Sequence, residues 1–280
     1  MSKTIVITGA SDGIGAEAAR ALTAAGHHVV IVGRSPAKTR AVAAETGADS
    51  YTADYADLAQ VRQLAGSLNA QYPRIDVLAN NAGGVFNTHQ LTVDGHDTTF
   101  QVNHLAPFLL TNLLLGTLQN SRATVIQTAS QVAKRHAHLN IDDLENQASY
   151  QPIKAYSDAK LENILFTKEL HRRYAHAGIS AVAFHPGNVA SNFASDTTTA
   201  WRFVYQTPLR HLALITPRKG AEPLIWLAQA QPRRVWQPGE YYEKHKIAAT
   251  NPQATDTALS TQLWDRSAQM AGLPNTGQAH

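Results

Sequence analysis

Cysteine is absent from all 280 residues. Its absence removes disulfides, thiolate zinc sites and cysteine nucleophiles together, and it fits a reducing compartment. No apolar run approaches the roughly eighteen residues that a membrane span requires. After Met1-Ser2-Lys3 the chain enters an apolar strand directly, without the basic, apolar and small-residue regions of a secretory leader. A soluble, cytoplasmic chain with no membrane partner is therefore expected. Lysine and arginine never run longer than pairs such as Arg218-Lys219, although the net charge is +3 and the pI about 9.1. Scattered charge of that kind is a solvated surface, so no nucleic-acid partner is expected. Repeats, linkers and low-complexity tracts are missing, as is the G-x-S-x-G elbow of a serine hydrolase. Histidine is plentiful, but His27-His28 and His136/His138 lack a third ligand, and zinc needs three or four. No metal is expected.

What is present is an alternation. Ile5-Val6-Ile7 is followed by a glycine-rich turn and an alanine-rich helix near 14–25, then by Val29-Val30-Ile31-Val32 and a helix starting at Pro36. Short strands near 50–53 and 75–79 flank another helix. A long helix near 97–119 precedes a strand over Thr124–Thr128, and a helix over 153–176 precedes one over Ser180–Phe184. Continuous apolar strands separated by helices predict an α/β, Rossmann-type, doubly wound and mostly parallel sheet of about seven strands, the last near Gly239–Tyr242. One domain is expected over 1–280. Its core spans 3–189, a variable region 190–235, and a flexible tail 272–280.

After the first strand stands Thr8-Gly9-Ala10-Ser11-Asp12-Gly13-Ile14-Gly15. Glycines at 9, 13 and 15 permit a tight turn and close approach to a pyrophosphate seated on the next helix N-terminus. A plain strand-to-helix turn would read the same way, but no P-loop lysine follows. At the end of the second strand, beside the adenosine ribose in this fold, stand Gly33-Arg34-Ser35, with no carboxylate for a 2′-hydroxyl. Arg34 and Ser35 suit a 2′-phosphate. A charge-assisted hydrogen bond contributes about 1.5–3 kcal/mol, a roughly ten- to hundredfold preference for NADP(H) over NAD(H). Asp12 opposes a second phosphate contact there.

Tyr156 and Lys160 share a face of the helix over 153–176 at i, i+4 spacing. A free tyrosine is ionised about one time in a thousand at pH 7. A cation about 5 Å away, at an effective dielectric near 20, favours the phenolate by about 3 kcal/mol. By itself such a pair is an ordinary helix surface. With the glycine loop, Asn80-Asn81-Ala82-Gly83, Ser130 and His185-Pro186-Gly187-Asn188-Val189, it completes a set in which every member follows a predicted strand's carboxyl end. That is the side where such sheets bind ligands.

In this combination residues 3–195 resemble the classical short-chain dehydrogenases/reductases. Val102-Asn103-His104-Leu105, Tyr156 through Lys160-Leu161-Glu162-Asn163-Ile164-Leu165-Phe166, and His185-Pro186-Gly187 are most similar to the retinol-dehydrogenase-like branch. The resemblance implies an oxidoreductase working on a small apolar carbonyl or alcohol. Tyr156 would be the proton donor and Ser130 would hydrogen-bond the substrate oxygen. Lys160 would hold the nicotinamide ribose, and Asn103 would position a water relaying protons to Lys160. The cofactor would also meet Gly9, Ser11, Asp12, Gly13, Ile14, Gly15, Arg34, Ser35, Asp54, Tyr55, Asn81, Ala82, Gly83, Pro186, Gly187 and Val189. Relatives often pair through the helices around Tyr156, which implies a homodimer or homotetramer. Gln127 and Thr128-Ala129 depart from the usual asparagine and serine pair, but Ser130 keeps the hydroxyl. No N-terminal anchor like that of the membrane-bound retinol enzymes is seen, so retinoid turnover is not implied. The aromatic stretch 193–215 is a candidate substrate lid with Phe193 and Trp201 as pocket walls; a subunit interface or plain core are its alternatives. A non-catalytic NADP(H)-sensing regulator is the competing function, and retention of Ser130, Tyr156 and Lys160 together argues against it.

Overall fold

The computed structural model describes residues 2–187 and 215–274. Among the described residues eight strands form one sheet: β1 (Thr4–Thr8), β2 (His28–Gly33), β3 (Asp49–Thr52), β4 (Val77–Asn80), β5 (Thr124–Thr128), β6 (Ser180–His185), β7 (Tyr241–Glu243) and β8 (Lys246–Ile247). Their spatial order is β3-β2-β1-β4-β5-β6-β7-β8, parallel throughout except for the antiparallel β7–β8 pair. The expected seventh strand thus lies slightly later in the chain. The eighth, only Lys246–Ile247, is too short to show any alternation.

Helices cover both faces, which explains why the central strands are apolar without interruption. Ile5, Ile7, Val29 and Ile31 point to one side, where α1 (Gly13–Ala24), α2 (Pro36–Thr46) and α9 (Pro217–Gln229) cover them. Val6, Val30 and Val32 point to the other. There they meet α3 (Leu58–Gln71), α5 (Ala106–Leu113), α6 (Leu115–Ser121), α8 (Pro152–Tyr174) and α10 (Thr257–Met270). Pro36, Pro152 and Pro217 each stand in a first helical turn, where the missing N–H has no intrahelical partner anyway. Gly272 (φ +59°) ends α10, and the Leu273 amide donates back to the Ala268 carbonyl at 2.9 Å. The first residues of the expected tail are therefore tied to the helix.

The single long helix expected near 97–119 is instead broken. It comprises α4 (Thr98–Phe100), a π turn over Gln101–Leu105, α5 and α6, with a further break at Leu114. Such wide turns leave a carbonyl without its usual partner. Asn163 on α8 supplies one, its Nδ2 donating to the Asn103 carbonyl at 3.0 Å. An aromatic cluster backs this junction: Phe108, Phe166 and Trp264 lie 5.0–5.6 Å apart centroid to centroid.

Helix α8 also carries Glu162, fully buried, with neither carboxylate oxygen hydrogen-bonded. Burial first, then the like charges of Asp158 and Glu145, push its pKa well above 4.5. The sign of the linkage follows. With the folded pKa above the unfolded one, the contribution to stability is complete below the unfolded value and is lost as pH rises towards the folded one. Glu162→Gln, which cannot ionise, should therefore gain in melting temperature over the parent as pH is raised from 4 to 8. A difference independent of pH in paired thermal melts would contradict this.

Candidate active site

Sheet order reverses between β1 and β4, and the loops leaving these two strands meet above the switch point. Gly9 (φ +65°) lies so close to the β4 loop that a Cβ there would sit 2.8 Å from the Ala82 Cα. The Thr8 Oγ accepts from the amides of Asn81 (3.0 Å) and Ala82 (3.1 Å), and the Asn81 Nδ2 donates to the Thr8 carbonyl at 3.0 Å. Gly15 is hemmed in by the Gly9 carbonyl and Ala10, and Gly33 by Ser11 and Thr39. Asp12 caps α1 by accepting from the Gly13 amide at 2.8 Å. First-turn amides such as those of Ile14 and Gly15 have no acceptor within the helix, the local chemistry that suits an anion.

At the end of β2, Arg34 is exposed and makes no hydrogen bond or ion pair among the described residues. Ser35 caps α2. One turn on, the Lys38 ammonium reaches back to the Asp12 carboxylate at 2.9 Å. Sequence reasoning missed Lys38; its signal was a lysine on the same helical side as Arg34, four residues later. It offsets the negative charge of Asp12 and adds a second cation beside the loop. The Asp54 Oδ1 accepts from the Ala56 amide at 3.0 Å. Tyr55 buries its ring in the core, which leaves only its main chain for a ligand.

Beyond the switch point, Tyr156 and Lys160 project from α8. Both are buried, and the Lys160 Nζ lies 5.4 Å from the Tyr156 ring centroid. Nζ donates to the Thr128 carbonyl at 3.1 Å, which docks α8 against the end of β5, two residues before half-buried Ser130. Burial pulls the ammonium down to about 7. Asn103, inside the π turn, donates to the carbonyls of Gly84 (2.9 Å) and Thr99 (2.8 Å) and accepts from the Gly84 amide at 3.1 Å. A Cβ on Gly83 would fall 2.6 Å from the Asn103 Oδ1 and 3.1 Å from the Lys160 Nζ. The structure therefore gathers Asn103, Lys160, Tyr156 and Gly83 around one point. Asn163, which holds the Asn103 carbonyl, was given no role beforehand because its partner lies in a distant part of the chain.

After β6, the His185 Nδ1 accepts from the Gly187 amide at 2.9 Å, and Gly187 (φ +90°) packs against Ile215. Pro186 precedes it in the same loop. Val189, Phe193 and Trp201 lie outside the described residues. His104 is fully buried, hydrogen-bonded to the Ser267 hydroxyl, and its pKa is pushed down to about 3 by burial, so it serves packing as a neutral ring. Among the described residues no cluster of three or more histidine or acidic side chains could hold a metal, and no helix is long and apolar enough to cross a membrane.

Residues 3–201 match the family described as short chain dehydrogenase. The chain belongs to this family. It is 38% identical over 96% of its length to 93% of a Streptomyces sp. (strain C5) protein that carries the provisional name daunorubicin C-13 ketoreductase. It is 34% identical over 97% of its length to 85% of human retinol dehydrogenase 13. A crystal structure of an uncharacterised protein from Mycobacterium paratuberculosis superposes with a TM-score of 0.77 at 30% identity, covering 97% of this chain and 94% of that one. The short-chain dehydrogenase assignment makes this an oxidoreductase of a family that uses nicotinamide cofactors.

Gly83→Ala tests how tightly the reacting centre is packed. The added methyl must displace Asn103 or Lys160, and misplacement by about 1 Å costs roughly a hundredfold in rate. A comparable fall in kcat is expected, with the circular-dichroism melt lowered by only a few degrees. Unchanged turnover would show that the crowding has no catalytic weight.

Proposed function

We propose that the protein is an NADP(H)-dependent carbonyl reductase or alcohol dehydrogenase acting on a ketone, aldehyde or alcohol of a small, largely apolar molecule. The observation that carries this reading is the Lys160 ammonium. It is buried between the Tyr156 ring and the Thr128 carbonyl and aimed at the space beside Gly83. A cation in that position favours negative charge on the neighbouring phenol oxygen. Tyr156 can then release a proton to a carbonyl oxygen during reduction and recover it in oxidation, while Ser130 hydrogen-bonds the same oxygen. Asn103 fixes the Gly83-Gly84 main chain and so keeps Lys160 in its narrow slot. The nicotinamide, when bound, supplies or accepts the hydride.

Preference for the phosphorylated cofactor is supported by Arg34, which has no partner among the described residues at the end of β2, and by Lys38 beside the loop. The absence of a carboxylate at Gly33-Arg34-Ser35 points the same way. The half-buried apolar side chains Val85, Phe86 and Ile215 near the rim suit an apolar substrate body. The names of the two relatives, a ketoreductase and a retinol dehydrogenase, describe the two directions of one carbonyl–alcohol interconversion.

Tyr156→Phe should bind NADPH with unchanged affinity in fluorescence titrations and lose nearly all reductase rate against a panel of ketones, aldehydes, quinones and steroids. Steady-state rates equal to the parent's would defeat the mechanism. Arg34→Ala should reduce the NADPH-over-NADH preference about ten- to hundredfold while leaving NADH binding nearly intact. Unchanged discrimination in cofactor titrations would refute the assignment of Arg34.

A further inference from the structure

A cleft of about 600 Å³ lies between α7 (Val132–His136), which follows Ser130 in the chain, and the β7–β8 hairpin. Gln131, the neighbour of Ser130, stands at one end. Lys134 and Arg135 line the α7 side, and Glu243, Lys244 and Lys246 line the hairpin side. Among the described residues four permanent cations thus face one carboxylate, an excess of three that equals the formal net charge of the whole chain. Elsewhere in the molecule Lys38, Lys154, Arg172 and Arg173 close on acidic partners. Among the described residues Lys134, Arg135, Lys244 and Lys246 do not, and Glu243 instead faces the His185 Nε2 at 3.6 Å.

The hairpin carries two of these charges. Lys244 occupies a turn position with φ +57°, a conformation that glycine or asparagine adopts more readily, yet a lysine stands there and lines the cleft. His245, the other turn residue, packs edge-on against the Trp226 ring at 4.7 Å, and Trp226 packs on Tyr242 at 5.6 Å. Like charges lining one cleft repel one another, and a bound anion relieves that repulsion. The anion is not a cofactor phosphate. The phosphate loop follows β1, whereas the cleft adjoins β7, four strand spacings or about 19 Å across the sheet.

We propose that this cleft is a substrate subsite for an oxyanion, a carboxylate or a phosphate ester at the far end of the carbonyl compound engaged by Ser130 and Tyr156. The proposal rests on the reductase reading above and narrows it. The substrate is an amphiphile, with its carbonyl at the rim and its charged end between α7 and the hairpin.

The test compares the full chain with a Lys134→Gln/Lys246→Gln double variant in NADPH-oxidation assays. The probes are 4-acetylbenzoate, 4-acetylphenyl phosphate and the neutral methyl 4-acetylbenzoate. The parent should show a lower KM for an anionic ketone than for the ester. The double substitution should raise that KM about tenfold or more, leaving kcat and the ester's kcat/KM within about twofold. Whichever anion shows the larger shift identifies carboxylate or phosphate as the group recognised. A parent that does not distinguish anion from ester, or a variant that weakens all three alike, overturns the subsite while leaving the reductase reading intact. If no probe is turned over, the reductase reading fails on these substrates, and quenching of tryptophan fluorescence by 4-acetylbenzoate decides the subsite. A Kd raised about tenfold in the variant upholds it, and equal Kd values overturn it.

Discussion

An ammonium group taken out of water needs either a partner or a reason to shed its proton, and Lys160 is placed where both conditions operate. Its nitrogen has the Thr128 carbonyl as a hydrogen-bond acceptor and the face of the Tyr156 ring at 5.4 Å, with no solvent to share the charge. Much of the surrounding architecture can be understood as what keeps that nitrogen in its slot. The i, i+4 geometry of α8 sets its distance from Tyr156, β5 brings Thr128 beneath it, and the missing side chain at Gly83 leaves the space it uses. Burial lowers its pKa to about 7, so its charge state answers to whatever negative charge develops nearby. This responsiveness suits a residue that helps a phenol give up and regain a proton.

The second requirement is that loops from distant strands meet. Parallel strands demand helical crossovers, and the reversal of strand order between β1 and β4 leaves a crevice that neither crossover fills. Gly9 and Ala82 touch across it, and the Thr8 hydroxyl ties the two loops together. Asn103 performs the same service deeper in, joining the π turn to Gly84. The rim is rigid because loop amides and carbonyls that would otherwise be left to water are matched by side chains.

Much of this was legible in the sequence for a definite reason. Glycines required by close approach, and a tyrosine and lysine one helical turn apart, are local signals, so their spacing survives without tertiary information. The central strands announced themselves through unbroken apolar runs, because both of their faces are covered. What escaped notice depends on distant partners. The π turn over Gln101–Leu105 has an ordinary helical pattern, and only its tie to Asn163 and Gly84 reveals it. Lys38 sits on an exposed helix face and gains meaning only when Asp12 is brought to it. The cations of the α7–hairpin cleft are more than a hundred residues apart in the chain. In sequence they resemble any scattered surface charge, and the net charge was accordingly assigned to a solvated exterior.

The rear of α8 has a consequence for how the molecule is made. Phe166 and Tyr174 on that helix, together with Phe108, press against Trp264 of α10. The element bearing Tyr156 and Lys160 therefore lacks this aromatic backing until Trp264, far downstream of it in the chain, is available. During synthesis, which runs from the N-terminus, the nucleotide-binding half can assemble while the chain is still growing. Helix α8 is braced on this side only once α10 has been made, so the loops at the β1–β4 crevice can form in a nascent chain before that helix has its aromatic support.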